Sequence, residues 1–171
     1  MKVLILDSRG DKEGYILQED NKDRNGHGSL MLDVVLSVNP KADVSTVKIV
    51  DGSGTTSNDL LCSGLVHAYF NDYDIVSISL GLRSISDNVG YWLHELADKG
   101  VIICVASGNN AISSLATHQA TVSVGALDEE GNVADYTMDN YDVLAPGYFK
   151  GKTGTSIACA YYAGLLSLGG D

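Results

Sequence analysis

Ser156 lies where a glycine-rich turn, Gly151 to Gly154, runs into a segment of small residues that is predicted to be a helix. A serine near a helix N-terminus becomes a nucleophile when a base lies within reach of its hydroxyl. Serine is also a preferred N-cap residue, so the stretch taken alone favours a structural cap. A catalytic Ser156 therefore requires a base, an orienting acid and an oxyanion donor elsewhere in the chain.

Three other polar residues have the side chains for those tasks: Asp7, His27 and Asn109. Asp7 ends an apolar run, His27 stands between Gly26 and Gly28, and Asn109 follows another apolar run. Singly, each is more often a cap, turn or loop residue than a functional one. Together they are a carboxylate, an imidazole and an amide, which with a hydroxyl make a complete set for acyl transfer.

Apolar strands alternate with amphipathic helices along the chain, which predicts an α/β fold. Several strands are apolar throughout, as in a parallel sheet that is buried on both faces. We therefore expect three layers, a mostly parallel central sheet with helices on both faces. The predicted strands are 2–6, 43–50, 74–80, 101–106, 121–126 and 141–144, and the predicted helices begin near His27, at Thr56 or Ser57, at Ser86 and at Ser156.

Functional sites in such sheets lie outside the carboxyl ends of the strands, where Asp7 and Asn109 both fall. With 171 residues and neither a repeat nor a linker, residues 1–171 are predicted to form one domain.

The composition excludes several classes of function. A net charge of −11 argues against nucleic-acid binding, although an acidic surface gives a mild bias towards basic peptides. The apolar runs are too short to span a membrane, and the N-terminus does not resemble a signal peptide. Three cysteines, Cys62, Cys104 and Cys159, fit neither a zinc cluster nor a disulfide framework. We expect reduced thiols and a cytoplasmic location.

Six sequence blocks resemble, in order, those of the subtilisin-like serine peptidases, the peptidase S8 or subtilase family. The catalytic order Asp, His, Ser is also the same as in that family. The blocks span nearly the whole chain, so chance agreement is improbable. They are VLILDSRG at 3–10, NGHGS at 25–29, SISLG at 77–81, VASGN at 105–109, VGA at 124–126 with LAPG at 144–147, and GTSIA at 154–158.

The resemblance implies a serine endopeptidase that cuts peptide bonds through an acyl-enzyme. It implies that Ser156 is the nucleophile, His27 the base and Asp7 the orienting acid, with Asn109 as oxyanion donor. Peptide or protein substrates would pair with the main chain of Ser79, Leu80 and Gly81. Ala106, Ser107 and Gly108 would also contact substrate, and the segment after Asn109 would line the pocket for the residue before the cut.

The chain also departs from the family pattern. Leu82 replaces a frequent glycine, Ala160 replaces the usual proline, and the helix of His27 lacks the loop that holds calcium in many relatives. We expect no metal and no cofactor, and a compact member without a propeptide.

These departures leave the role of the chain open. A narrow intracellular processing role, with a possible regulatory partner protein, is the first expectation. The alternatives are a catalytically weak binding or regulatory module and, less favoured, an esterase.

Overall fold

A computed structural model describes residues 1–11 and 20–169 of the chain. Six strands form one sheet in the order β2-β1-β3-β4-β5-β6, and every neighbouring pair is parallel. The strands are β1 (Lys2–Asp7), β2 (Asp43–Lys48), β3 (Ile75–Ile78), β4 (Ile102–Ala106), β5 (Val122–Leu127) and β6 (Val143–Pro146).

Four helices cover the two faces of this sheet. They are α1 (His27–Val38), α2 (Asn58–Phe70), α3 (Asp87–Asp98) and α4 (Thr155–Ser167). The alternation of side chains along β1 divides the core, since Leu6 packs with the helices α2 and α3 while Ile5 packs with α1 and α4. The predicted three-layer α/β architecture is therefore confirmed, and strand and helix bounds differ from the sequence prediction by a few residues at most.

One small element escaped the sequence prediction. Strands β7 (Tyr148–Phe149) and β8 (Lys152–Thr153) form an antiparallel hairpin just before α4. Lys150 and Gly151 connect them and have φ angles of 47° and 77°, as the central residues of a type I′ turn require. Strands of two residues are too short to show any periodicity in a sequence.

A buried lysine holds the segment before α1 against the sheet. Lys48, the last residue of β2, is 1% exposed, and its Nζ donates hydrogen bonds to the carbonyl oxygens of Asp20 and Lys22, at 3.2 and 2.8 Å. Charge burial of this kind is unfavourable unless the ammonium protons are bonded. Lys48 therefore ties residues 20–22 to the same sheet edge where β1 ends.

Among the residues that the structure describes, no helix combines the length and the apolar character that a membrane crossing needs.

The packing of α4 against α1 depends on a glycine. A Cβ on Gly164 of α4 would lie 2.8 Å from Val38 Cβ and 3.2 Å from Val35 O, both on α1. We expect Gly164→Ala to lower the free energy of unfolding by about 1–3 kcal/mol, because the added methyl group forces α1 and α4 apart. Thermal unfolding measures this as a fall in Tm of about 2–4 °C per kcal/mol.

Gly90→Ala is the matched control, since Gly90 also lies in a helix but its Cβ would meet nothing closer than 3.8 Å. This substitution should raise stability by about 0.5–1 kcal/mol through helix propensity. Equal effects of the two substitutions would contradict the packing explanation.

Candidate active site

Asp7 and His27 are in direct contact at the carboxyl end of the sheet. Nδ1 of His27 lies 2.9 Å from both carboxylate oxygens of Asp7, which is 1% exposed. A carboxylate accepts hydrogen bonds, so Nδ1 carries the proton of a neutral imidazole and the lone pair is on Nε2. The hydrogen bond that His27 donates to Asp7 raises the pKa of His27, against the opposing effect of burial.

Backbone N–H groups hold both the carbonyl oxygen and the carboxylate of Asp7 in place. Its carbonyl oxygen accepts hydrogen bonds from the N–H groups of Ile49 and Val50, at 2.8 and 3.2 Å, where the chain leaves β2. Its carboxylate accepts another from the N–H of Ser8 at 2.7 Å. The position of Asp7 is therefore fixed by backbone contacts that do not involve His27.

Asp23 positions the start of α1, and sequence reasoning missed it. Its carboxylate accepts hydrogen bonds from the N–H groups of Gly26 and Ser29, both at 2.7 Å, and from Ser8 Oγ at 2.8 Å. The residue at the N-cap position, Gly26, has no side chain to do this. Asp23 thus satisfies first-turn donors of the helix that begins with His27.

Ser8 extends the same network, because its hydroxyl also accepts a hydrogen bond from the N–H of Gly28 at 2.9 Å. Burial alone would raise the pKa of Asp23, but the hydrogen bonds from Ser29, Gly26 and Ser8 outweigh it and lower the pKa to about 2. An acid four residues before the histidine, ahead of a helix without an N-cap side chain, was the signal available in the sequence.

Ser156 is the second residue of α4 and does not cap it. Gly154 takes the N-cap position, without a side-chain cap. The Ser156 hydroxyl donates to the carbonyl oxygen of Ser79 at 3.1 Å, and Ser79 Oγ donates to the carbonyl oxygen of Ser156 at 3.0 Å. Within the described residues no hydrogen bond joins Ser156 to His27, although both side chains line one cavity.

Asn109 is locked in a single orientation by the start of α4. Its Oδ1 accepts hydrogen bonds from the N–H and the hydroxyl of Thr155, both at 2.9 Å. Since a backbone N–H can only donate, the atom that faces it must be the amide oxygen. The amide nitrogen of Asn109 then remains without a hydrogen bond in the described part of the chain and lies beside Gly154.

Two cavities meet at Asn109 and Ser156, which line both. The first, of about 340 Å³, we call the Arg83 pocket. The second, of about 370 Å³, we call the Lys152 pocket. The Arg83 pocket is lined by Ser79, Leu80, Gly81, Leu82, Arg83, Ala106, Gly108, Asn109, Ala111, Ile112, Ser113, Thr155 and Ser156. The Lys152 pocket is lined by Asn25, Gly26, His27, Leu30, Met31, Asn109, Lys152, Thr153, Gly154, Ser156 and Ile157.

Five of the six residues predicted to contact substrate line the Arg83 pocket, namely Ser79, Leu80, Gly81, Ala106 and Gly108. Ser107 does not, because its side chain is fully buried behind the pocket wall and its hydroxyl has no partner in the described residues. Ser107 sits at the end of a strand whose side chains alternate between the two faces, which the block VASGN does not show.

Two further groups with reactive side chains, His118 and Cys159, lie outside the two pockets. His118 packs its ring against His94 of α3, with 4.8 Å between ring centroids. Cys159 is fully buried in the core, and burial raises the pKa of its thiol to about 11. No group of three or more His, Cys, Asp or Glu residues within 1–11 and 20–169 could hold a metal ion.

Comparison with known proteins identifies the family. The Subtilase family (Peptidase_S8) matches residues 8–168. M-protease of Shouchella clausii (strain KSM-K16) is 28% identical over 202 aligned residues, which include 98% of this chain and 53% of M-protease. Subtilisin Savinase of Lederbergia lenta is also 28% identical over 202 residues, which cover 98% of this chain and 75% of that protein.

A solved structure has the same fold. The crystal structure of a cold adapted subtilisin-like serine proteinase superposes with a TM-score of 0.83 at 19% identity, over 98% of this chain and 74% of that chain. The chain belongs to the subtilase family of serine peptidases. It spans about half the length of M-protease, at 53%.

The Asp23 network predicts a stability change at acidic pH. The pKa of Asp23 falls from 3.8 to about 2 on folding, so its contribution is complete above the unfolded value and is lost as the pH falls through the folded value. We expect Asp23→Asn to lower Tm near neutral pH and to flatten the fall in Tm between pH 4 and pH 2. Thermal unfolding followed by circular dichroism from pH 2 to pH 7 measures both.

Asp98→Asn is the control, since Asp98 is an exposed acid at the end of α3. Its curve should run parallel to that of the wild type. A Tm curve for Asp23→Asn that also parallels the wild type would contradict the role of Asp23.

Proposed function

We propose that the chain is a serine endopeptidase that hydrolyses peptide bonds through an acyl-enzyme on Ser156. One observation carries the proposal: the Asp7–His27 pair opens onto a cavity that Ser156 and Asn109 also line. A base with an oriented imidazole, a hydroxyl and an unused amide donor around one cavity is the arrangement that acyl transfer needs. Membership of the subtilase family supports the same roles.

The chemistry follows from the protonation of His27. Because Asp7 holds the proton on Nδ1, Nε2 accepts the proton of Ser156 Oγ as the oxygen attacks the carbonyl carbon of the peptide. The imidazolium then gives this proton to the amine nitrogen as the C–N bond breaks. Water, deprotonated by the same nitrogen, then attacks the carbonyl carbon of the ester, and the imidazolium returns the proton to Ser156 Oγ as the C–O bond breaks and the acid is released. Asp7 stabilises the imidazolium in both halves, consistent with the raised pKa of His27.

Ser156 must change its hydrogen bond before it reacts. Its hydroxyl donates to the carbonyl oxygen of Ser79 in the structure, and a rotation about χ1 redirects it to another staggered position. Hydrogen bonds at catalytic sites are often formed fully only with substrate present. Since an extended substrate would bind along residues 79–81, we propose that its arrival competes for this carbonyl and releases the hydroxyl.

The oxyanion would meet two donors. The amide nitrogen of Asn109 is unoccupied and oriented, because Thr155 holds the oxygen of the same amide. The N–H of Ser156 lies in the first turn of α4, where helical N–H groups have no partner within the helix. Both therefore need no reorganisation when negative charge develops on the carbonyl oxygen.

Ser156 can be tested with a fluorophosphonate probe, which reacts only with activated serines. We expect labelling of the wild type and no labelling of Ser156→Ala, with matching loss of peptide hydrolysis. Ser167→Ala is the control, because Ser167 lies in the same helix but hydrogen-bonds Gly164 O and Asn39 away from the site. Absence of labelling in well-folded wild-type protein would contradict the proposal.

A second function is favoured by the bond between Ser156 and Ser79. If this bond persists with peptide bound, the chain acts as a catalytically weak module that binds peptides. This alternative predicts peptide binding without labelling by the probe. An esterase would be labelled but would turn over esters and not peptides.

The oxyanion role of Asn109 predicts a specific kinetic loss. Asn109→Asp keeps an oxygen that can accept from Thr155 but removes the amide donor. We expect kcat to fall at least about 100-fold, with a small change in KM, since the donor acts on charge that develops in the transition state. Steady-state kinetics with a fluorogenic peptide measures this.

Asn88→Asp, at an exposed position in the first turn of α3, is a control for the same change of side chain outside the site. A rise in KM with an unchanged kcat for Asn109→Asp would contradict the oxyanion role.

A further inference from the structure

The side chains that line the cleft differ in charge from the chain as a whole. The sequence contains 22 acidic and 11 basic residues. Among the described residues, however, the linings of the Arg83 and Lys152 pockets contain no aspartate or glutamate. Each lining contains one permanent cation, Arg83 in the first and Lys152 in the second.

Most cations elsewhere in the described chain already have partners. Arg24 pairs with Asp20, Lys99 with Asp72, and Lys150 with Asp33. Lys48 and Lys2 donate to backbone carbonyl oxygens, and Arg9 donates to Ser29. By contrast, neither Arg83 nor Lys152 has a hydrogen bond or an ion pair with any described residue, and both are exposed. Two cations in the cleft are thus available to a ligand.

Arg83 is held at its pocket by its neighbour in sequence. The carbonyl oxygen of Leu82 accepts hydrogen bonds from the N–H and the hydroxyl of Ser114, both at 2.9 Å. Ser113 Oγ accepts another from the N–H of Leu82 at 3.3 Å. The backbone next to Arg83 is therefore fixed to Ser113, which lines the same pocket, and to Ser114.

Lys152 is held at the other pocket by the β7–β8 hairpin, in which it pairs with Phe149. Its charge reaches the reacting groups, since it opposes the rise in the pKa of His27 that the hydrogen bond to Asp7 and the charges of Asp7 and Asp23 produce. The two cations therefore flank Ser156, one in each pocket.

We propose that the cleft selects acidic peptides, with one carboxylate bound by Arg83 at the residue before the cut and a second bound by Lys152 after it. This inference rests on the proposed function, because the cut is placed at Ser156 and the substrate is placed along residues 79–81, which line the Arg83 pocket. Leu82, Ile112 and Ala106 give the Arg83 pocket apolar walls, so the methylene groups of a glutamate pack against them while its carboxylate reaches the guanidinium.

The acidic surface of the chain does not cancel this preference. Charges farther away than a Debye length, about 8 Å at physiological ionic strength, are largely screened from a bound peptide. A carboxylate inside the cleft therefore responds mainly to nearby charges, which are Arg83 and Lys152 in the linings and Asp7 and Asp23 near His27. Long-range repulsion slows the approach of an acidic peptide, whereas Arg83 and Lys152 determine which side chains remain bound.

Two pairs of internally quenched peptides test the proposal. The members of pair one differ only by glutamate or glutamine at the residue before the cut, and those of pair two differ in the same way at the second residue after it. For wild-type protein at low salt we expect a glutamate-to-glutamine ratio of kcat/KM of about five in each pair, equivalent to ~1 kcal/mol. At 1 M NaCl both ratios should approach one.

Single substitutions assign each ratio to its cation. Arg83→Gln should bring the ratio of pair one to about one and leave pair two unchanged, and Lys152→Gln should do the reverse. A ratio cancels any change in the protonation of His27, which affects both members of a pair equally. Lys41→Gln is the matched control, since Lys41 is exposed, has no side-chain partner in the described chain and lines neither pocket.

The same peptides can be used in a measurement that needs no catalysis. In Ser156→Ala, fluorescence anisotropy gives the Kd of each peptide, and glutamate should bind about fivefold more tightly than glutamine. Wild-type ratios at or below one, or a glutamate preference that survives both substitutions, would overturn the proposal. Cleavage of glutamine and glutamate peptides at equal rates would overturn the preference for acidic peptides but not the peptidase function. Selective binding of glutamate peptides without probe labelling would overturn only the peptidase function.

Discussion

The contact between Asp7 and His27 is the interaction on which the site depends, and it joins two elements that the chain builds separately. Asp7 ends a strand in the middle layer, whereas His27 begins a helix on one face of the sheet. Contact at 2.9 Å requires that the end of β1 and the start of α1 each be held in place. The N–H groups of Ile49 and Val50, just after β2, hold the end of β1, and the Asp23 carboxylate holds the start of α1.

Lys48, which is buried, and Asp23, which is partly buried, show how charged groups contribute to this precision. Lys48 draws the segment before Asp23 against the end of β2, and Asp23 then accepts the first-turn hydrogen bonds of α1. Each group is satisfied by backbone partners, so neither carries an uncompensated burial penalty. The polar network thus replaces the ordinary N-cap that Gly26 cannot provide.

The sequence was informative where a signal repeats or is chemically distinctive. Apolar runs and helical periodicity predicted the three-layer fold, and the motif blocks identified the subtilase family. The sequence did not reveal the hydrogen bond of Ser156 to Ser79 or the orientation of Asn109, because both depend on contacts between residues far apart in the chain. The burial of the Ser107 side chain could not be read from the sequence, since a motif names residues without giving the direction of their side chains.

The β7–β8 hairpin separates Lys152, which faces the cleft, from Ser156, which lies four residues later in α4. A turn of two residues fixes the register of β7 and β8, and Gly154 then begins the helix of Ser156 without using any side chain between them. Lys152 faces solvent at the cleft and packs in neither half of the core. This position can therefore change its charge over evolutionary time while the nucleophile and the helix remain as they are. Substrate preference and chemistry can diverge independently within one short segment of the fold.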